Sequence, residues 1–185
     1  MFHNKINSEG EINMKNLLKG PKMAIIWTVI RIWLGVQWLT AGFHKVVGEF
    51  DAGGFLQGAL ANATGDNPVV QGWYATFLES FALPNVGLIN ILIPWGELLV
   101  GIGLILGVAT IPALIAGAFM NLNFLLAGTL STNPGLYTIA IILLFTGTAS
   151  YYYGVDRFLA PYLKERFTKK MSKENEGKEA VNVPA

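Results

Sequence analysis

Two charged residues interrupt long apolar runs and are the first candidates for chemistry. Arg31 lies in the run from 23 to 43, and Glu97 lies in the run from 86 to 107. A charge at the centre of a bilayer costs roughly 2.5–3.5 kcal/mol, so each such residue needs a partner or a function. Counted from the run ends predicted to share one membrane face, Arg31 lies ~12 Å deep and Glu97 ~15 Å deep. We therefore predict an Arg31–Glu97 ion pair.

This predicted pair leaves two interpretations open. In the first, the pair only fixes the register of two helices, because a buried ion pair alone is weak evidence of catalysis. In the second, both side chains line a polar cavity and are the candidate catalytic residues. Arg31 then holds an anion or a carbonyl oxygen, and Glu97 moves protons.

Further residues of the first run share a helix face with Arg31. Steps of four, three, four and three residues lead from Arg31 to Gly35, Trp38, Gly42 and Lys45, and this spacing is typical of one helix face. The two glycines are predicted to allow close approach of a neighbouring helix. Trp38 is predicted to form a wall of the cavity and to contact a substrate.

His44 and Lys45 lie at the far end of this run and are predicted to bind substrate near the membrane surface. Lys45 has two interpretations of equal weight. Its long side chain can simply extend its ammonium group into water, or it can attract an anionic ligand.

Two asparagines lie near the middle of a third apolar run. Asn121 and Asn123 are ~17 and ~20 Å from the start of that run at helical rise. Residues two positions apart point in different directions on a helix, so at most one of them joins the cavity. The other is expected to bond a neighbouring helix.

The elements that position these residues are apolar helices. The chain is 52% hydrophobic and 14% charged, with a mean hydropathy of +0.46, which is outside the range of ordinary soluble domains. A helix of about 20 apolar residues crosses a hydrocarbon core of ~30 Å. We predict an all-α integral membrane four-helix bundle within residues 23–155, with spans at 23–43, 86–107, 110–130 and 136–153.

Three segments lie outside the predicted spans. Residues 1–22 form a polar leader, and residues 44–83 form a long Gly-rich, acidic connection in which one or two short interfacial helices are expected. Residues 156–185 begin as an amphipathic segment and become polar, which indicates an amphipathic tail that ends in disorder.

The distribution of basic residues predicts the orientation in the membrane. Lysine and arginine are frequent in both the leader and the tail, and short flanks of this kind stay in the cytoplasm. We predict a multi-pass protein of the plasma membrane with both termini cytoplasmic and the 44–83 connection outside. Lipid is then one partner. A net charge of +1, with long stretches of the chain nearly uncharged, disfavours nucleic acid.

The composition also excludes several cofactors. The chain has no cysteine and only two histidines, His3 and His44. Iron–sulfur clusters, thiolate metal sites and a haem held by two intramembrane histidines are therefore not expected. No other metal site is predicted.

The order of these motifs resembles the DoxX family of small four-helix membrane proteins. The resemblance rests on RIWLGVQWLTAGFHK, then PWGELLVGIGLILG, then a short third span and a fourth that ends in YYYGVDRFL. It covers roughly residues 20 to 162 and includes the DoxD-like large subunit of thiosulfate:quinone oxidoreductase. The positions that match the family pattern are Arg31, Lys45, Glu97 and Asp156.

The resemblance implies a subunit of a quinone-linked membrane oxidoreductase. Electrons from thiosulfate, or from another small sulfur compound, pass to a membrane quinone that acts as co-substrate. A second small subunit and a homo-oligomer are further implied partners. Asp156 is expected either to bind substrate or to serve as an ordinary helix cap.

Two other function classes are weighed against this one. A non-catalytic membrane partner that recruits another redox enzyme is the main alternative, and in it the ion pair serves architecture. A transporter or channel is disfavoured because the sequence has no inverted repeat and no helix rich in pore-lining polar residues.

Overall fold

A computed structural model describes residues 20–181, so positions 1–19 of the predicted leader and 182–185 of the predicted tail lie outside the described residues. The described part is helical and contains no strand. Seven α-helices follow one another: α1 Pro21–Val47, α2 Ala52–Ala61, α3 Gly72–Phe77, α4 Val86–Leu106, α5 Thr110–Leu126, α6 Asn133–Thr146 and α7 Asp156–Val181. A π-helical turn, Leu78–Ala82, follows α3, and a 3₁₀ turn, Gly147–Tyr151, follows α6.

Three helical segments are long and apolar enough to cross a membrane. They are Pro21–Val47, Val86–Leu106 and Asn133–Tyr151, the last of which joins α6 to its 3₁₀ turn. The apolar helix α5, Thr110–Leu126, is shorter, with 17 residues. All four lie where the sequence predicts spans.

These four helices pack in sequence: α1 against α4, α4 against α5, α5 against α6, and α6 back against α1. A shared core of buried residues joins them, among them Leu34, Leu104, Leu114 and Leu143, all fully buried. Large apolar side chains on the opposite faces are exposed, such as Leu99 and Phe145. A helix cluster with an apolar exterior is suited to lipid rather than water.

Glycines set the register between the antiparallel helices α1 and α4, which pack closely against each other. A Cβ at Gly35 would lie 2.9 Å from Ile105, and one at Gly42 would lie 2.7 Å from the Leu98 backbone nitrogen. The predicted close approach at these two glycines is confirmed. It fixes residue 42 of α1 beside residue 98 of α4.

The ends of the cluster differ in structure. At one end, here called the loop end, residues 48–85 form α2, α3 and the π-helical turn. Their core includes Leu56, Val70, Tyr74 and Leu78, and it packs on Ala127 after α5. One or two short helices are expected in this connection, and the structure has two, α2 and α3.

The other end, here called the tail end, carries the α4–α5 turn at 107–109 and the start of α7. α7 extends to Val181, so the polar part of the tail that was predicted to be disordered is helical up to that residue. Lysine, glutamate and alanine are good helix formers. An exposed i,i+4 pair also supports this helix, with Lys169 Nζ 2.6 Å from Glu165 Oε1.

Candidate functional site

A buried ion pair joins the end of α1 to the middle of α4. Lys45 donates to both carboxylate oxygens of Glu97, at 2.7 and 2.9 Å. The Glu97 side chain is 2% exposed and the Lys45 side chain 27% exposed. The two bonds from the Lys45 ammonium group offset part of the cost of burying this carboxylate.

The predicted Arg31–Glu97 pair is wrong, because Lys45 is the partner of Glu97. The prediction aligned the ends of two runs, whereas the glycine contacts place Arg31 level with Gly107, at the tail end. Lys45 lies one turn beyond Gly42, which contacts Glu97. Helical side chains tilt toward the N-terminus of their helix, so the Lys45 side chain reaches back to the carboxylate.

The ion pair forms part of the wall of a cavity of about 450 Å³ at the loop end. Its wall combines polar groups with aromatic and aliphatic ones. The lining residues are Gln37, Trp38, Thr40, Ala41, His44, Lys45, Phe55, Glu97, Asn121, Phe124, Thr129, Ser131, Thr132, Asn133 and Leu136. This volume and mixture are typical of small-molecule sites.

Asn121 is the most unusual residue of this wall. It is fully buried, and neither Nδ2 nor Oδ1 has a hydrogen-bond partner within residues 20–181. Buried side-chain amides are nearly always bonded, and an unbonded polar group costs about 1–3 kcal/mol. The side chain therefore has a donor and an acceptor free for a ligand.

Asn123 has a different environment, as the spacing of the two asparagines predicts. Its Nδ2 donates to the Phe119 carbonyl at 2.8 Å, and its Oδ1 accepts from the Tyr74 hydroxyl at 3.1 Å. It does not line the cavity. Burial raises the pKa of the Tyr74 hydroxyl above its ordinary value, and this phenol holds α3 against the end of α5.

The other predicted cavity residues of α1 lie where the helix face predicts. Trp38 is buried, and its indole packs against Gly117 of α5. His44 is exposed at the cavity mouth. No group of three or more His, Asp or Glu side chains in the described range 20–181 is arranged to hold a metal ion.

Arg31 and Asp156 do not join this cavity. Arg31 is 1% exposed and lies at the tail end, where Nη2 donates to the Tyr153 carbonyl at 3.1 Å. Its guanidinium group packs against Gly107 and Gly154. A Cβ on Gly107 would collide with this group, and a Cβ on Gly154 would press against the Gly107 backbone. Arg31 thus fastens the α6–α7 connection to the α4–α5 turn.

Asp156 strengthens the contact between these two connections. It begins α7 but caps the N-terminus of α5. Its two carboxylate oxygens accept from the Ala109 and Thr110 amides at 2.8 and 2.6 Å. These amides lie at the N-terminus of α5, where a negative charge is favourable. The Asp156 carboxylate also acts electrostatically on the Arg31 guanidinium. We call this set of Arg31, Gly107, Gly154 and Asp156 the tail clasp.

The hydroxyl-bearing rim of the cavity is a feature that the sequence patterns do not predict. Thr129, Ser131 and Thr132 lie on the α5–α6 connection and line the mouth. The segment STNPG predicts only a turn. The one indication that this segment lies at the cavity is its position between two helices that both line it.

A comparison with known protein families matches part of the chain. The family model of DoxX matches residues 26–129, which is more than half of the chain. The matched segment contains both partners of the buried ion pair and Asn121. Neither the curated proteins nor the solved structures include a match to the chain.

Proposed function

The chain belongs to the DoxX family, and we propose that it is a subunit of a quinone-linked membrane oxidoreductase. The quinone head group binds in the loop-end cavity as a co-substrate. Its isoprenoid tail then extends toward lipid past the apolar faces of the helices.

One observation carries this proposal: Asn121 is fully buried on the cavity wall with both polar atoms free of partners within residues 20–181. Its Nδ2 suits a quinone carbonyl oxygen, which accepts a hydrogen bond. Its Oδ1 suits the hydroxyl of the reduced quinol, which donates one. A single amide can therefore hold either redox state of the ring.

The apolar part of the cavity wall suits a flat ring. Trp38, Phe55, Phe124 and Leu136 contribute aromatic and aliphatic surface to it. A cavity of about 450 Å³ is large enough for a substituted benzoquinone or naphthoquinone head group. Orientation then comes from the few polar groups and affinity from the apolar ones.

The ion pair supplies the proton chemistry in this proposal. Reduction of a quinone to a quinol takes two electrons and two protons. The Lys45 ammonium group carries protons, is partly exposed, and is bonded to the buried Glu97 carboxylate. A proton given up at the cavity can thus be replaced from water at the mouth.

The electron donor follows from the family resemblance rather than from a contact in the site. Two thiosulfate dianions that join through a new sulfur–sulfur bond release two electrons, which balances one quinone. Another small sulfur compound can play the same part. Because the chain has no cysteine, the electrons pass directly from donor to quinone or through a second small subunit.

The membrane arrangement is part of the same proposal. α1, α4, α5 and α6 form a four-helix bundle that crosses the plasma membrane, with both termini in the cytoplasm. α5 has 17 residues, fewer than the ~20 of a typical span, but it packs between α4 and α6. The loop end then faces outside and the tail end faces the cytoplasm.

A second candidate function is a non-catalytic partner that recruits another redox enzyme. The tail clasp favours it, because two of the four residues that match the family pattern, Arg31 and Asp156, bond backbone groups far from the cavity. In this case the Lys45–Glu97 pair only holds α1 against α4.

Activity of the purified protein in lipid nanodiscs distinguishes the two functions. Decylubiquinone or a menaquinone analogue is the acceptor and thiosulfate the donor, with sulfide and sulfite as alternative donors. The oxidoreductase proposal expects quinone reduction that falls at least tenfold in Asn121→Leu but not in Asn123→Leu, two residues along the same helix. No quinone binding and no turnover with any donor would instead support the recruiting function.

A further inference from the structure

A layer of four leucines separates the two polar regions of the helix cluster. Each helix contributes one residue: Leu34 from α1, Leu104 from α4, Leu114 from α5 and Leu143 from α6. All four are 0% exposed and belong to one continuous core cluster. We call these residues the leucine layer.

The layer lies between the cavity and the tail clasp on every helix. On α1, Leu34 falls between Arg31 of the clasp and Trp38 of the cavity wall. On α5, Leu114 falls between Thr110, which Asp156 caps, and Asn121. Arg31 and Lys45 are 14 residues apart on one helix, or ~21 Å at helical rise.

The side of the cavity that faces the loop end and the side that faces the tail end therefore differ in their access to water. Toward the loop end the mouth is lined by exposed polar residues, including His44, Ser131 and Thr132. Toward the tail end the next side chains are the leucine layer, which offers no hydrogen bond to water. A buried apolar region of this kind stays dry.

We infer that water-soluble species reach the Lys45–Glu97 pair from the loop end only. Protons and a small polar reactant thus enter and leave on the membrane face that carries α2 and α3. The tail clasp, although charged, takes no part in this exchange. The proposed function supplies only the identity of the reactants, since the one-sided access follows from the geometry.

Single-cysteine labelling tests this inference because the natural chain has no cysteine. Gln37→Cys and Ala41→Cys, at partly exposed positions of the wall, report on the cavity, and Ala140→Cys, 1% exposed, reports on the core beside the layer. Asp66→Cys marks the loop face and Glu165→Cys marks the tail face. The anionic, membrane-impermeant reagent 2-sulfonatoethyl methanethiosulfonate is added to one face of oriented membrane vesicles at a time.

The inference expects both cavity positions to react at least tenfold faster from the loop face than from the tail face. It expects the Ala140→Cys variant to remain unmodified from both. Denaturation before labelling gives the total thiol, and the two marker variants confirm vesicle orientation. A Leu114→Ser replacement in the Ala41→Cys background is expected to raise the rate from the tail face.

Equal rates from the two faces, faster reaction from the tail face, or no reaction of either cavity position would overturn the inference. Labelling does not depend on turnover. One-sided labelling in a protein that reduces no quinone would therefore refute the proposed function and leave the one-sided access standing.

Discussion

Lys45, in the last turn of α1, donates to both carboxylate oxygens of Glu97, in the middle of α4. The pair joins the C-terminal end of α1 to the middle of α4. It places the ammonium group on the cavity wall with its charge balanced. The pair is therefore both a structural contact and the feature on which the proposed proton chemistry rests.

Lys45→Met is expected to lower the free energy of unfolding by about 3 kcal/mol. The substitution leaves an unpaired carboxylate at a site that is 2% exposed, which is the costly outcome for a buried pair. The double variant Lys45→Met/Glu97→Gln is expected to regain stability to within about 1 kcal/mol of the natural chain. Reversible unfolding by SDS in mixed micelles measures both.

The exposed Lys169–Glu165 pair of α7 provides the matched control. Lys169→Met is expected to change stability by less than about 1 kcal/mol, because both side chains are largely in water. A double variant no more stable than Lys45→Met alone would contradict the predicted role of the buried pair.

Gly42→Ala is expected to destabilise the protein by about 1–3 kcal/mol. A Cβ there would lie 2.7 Å from the Leu98 backbone nitrogen, so α1 must move away from α4. Gly87→Ala, at a helix position with no atom within 4 Å, is the control and is expected to stabilise slightly. Thermal unfolding in detergent compares them, and equal shifts in the two variants would be evidence against the proposed register.

Asp156→Ala and Arg31→Met are expected to lower stability while leaving ligand binding nearly unchanged. Asp156→Ala removes two bonds to backbone amides at the start of α5, a loss of about 2–3 kcal/mol. Quinone affinity is expected to change by less than twofold, because the tail clasp lies beyond the leucine layer. A tenfold loss of affinity in a folded variant would place the clasp in the binding site.

The stability of the loop-end core is expected to fall at high pH through Tyr74. Burial raises the pKa of its hydroxyl above the ordinary value of 10.0, so above that pH the folded state binds more protons than the unfolded state. The contribution of Tyr74 to the free energy of unfolding is therefore complete below about pH 10, and it decreases as the pH rises through the pKa of the folded state. Tyr74→Phe is expected to lose about 1 kcal/mol at neutral pH.

Unfolding between pH 8 and pH 11 measures this contribution. The other tyrosines titrate in both proteins, so the difference in stability between the natural chain and Tyr74→Phe reports on Tyr74 alone. This difference is expected to shrink above pH 10, because only the natural chain loses the contribution of Tyr74. A constant difference across the range would mean that Tyr74 ionises as freely in the folded state as in the unfolded one.

Sequence patterns located the helices and the faces that bury Arg31, Trp38 and Gly42, because apolar runs and helical periodicity depend only on local spacing. They also separated Asn121 from Asn123. They gave the wrong partner for Glu97, because depth was counted from the run ends. The register between α1 and α4 depends instead on which glycines meet which backbone, and this is a property of packing.

Other features depend on contacts between distant segments that no local pattern shows. Asp156 caps α5 from the start of α7, 46 positions away along the chain from Thr110. The rim at Thr129 to Thr132 becomes part of a cavity only because α1 and α5 are neighbours of α6. Such contacts follow from the fold rather than from spacing.

Photolabelling with an azidoquinone tests the central claim most directly, since it asks whether quinone occupies the loop-end cavity. The purified protein in nanodiscs is labelled with and without excess unlabelled quinone, and the modified peptides are identified by mass spectrometry. We expect saturable, competed labelling of residues 37–45 and 121–136, reduced at least tenfold in Asn121→Leu and unchanged in Asn123→Leu. Labelling that is not competed by quinone, or that falls on the lipid-facing surface equally in all three proteins, would contradict the claim.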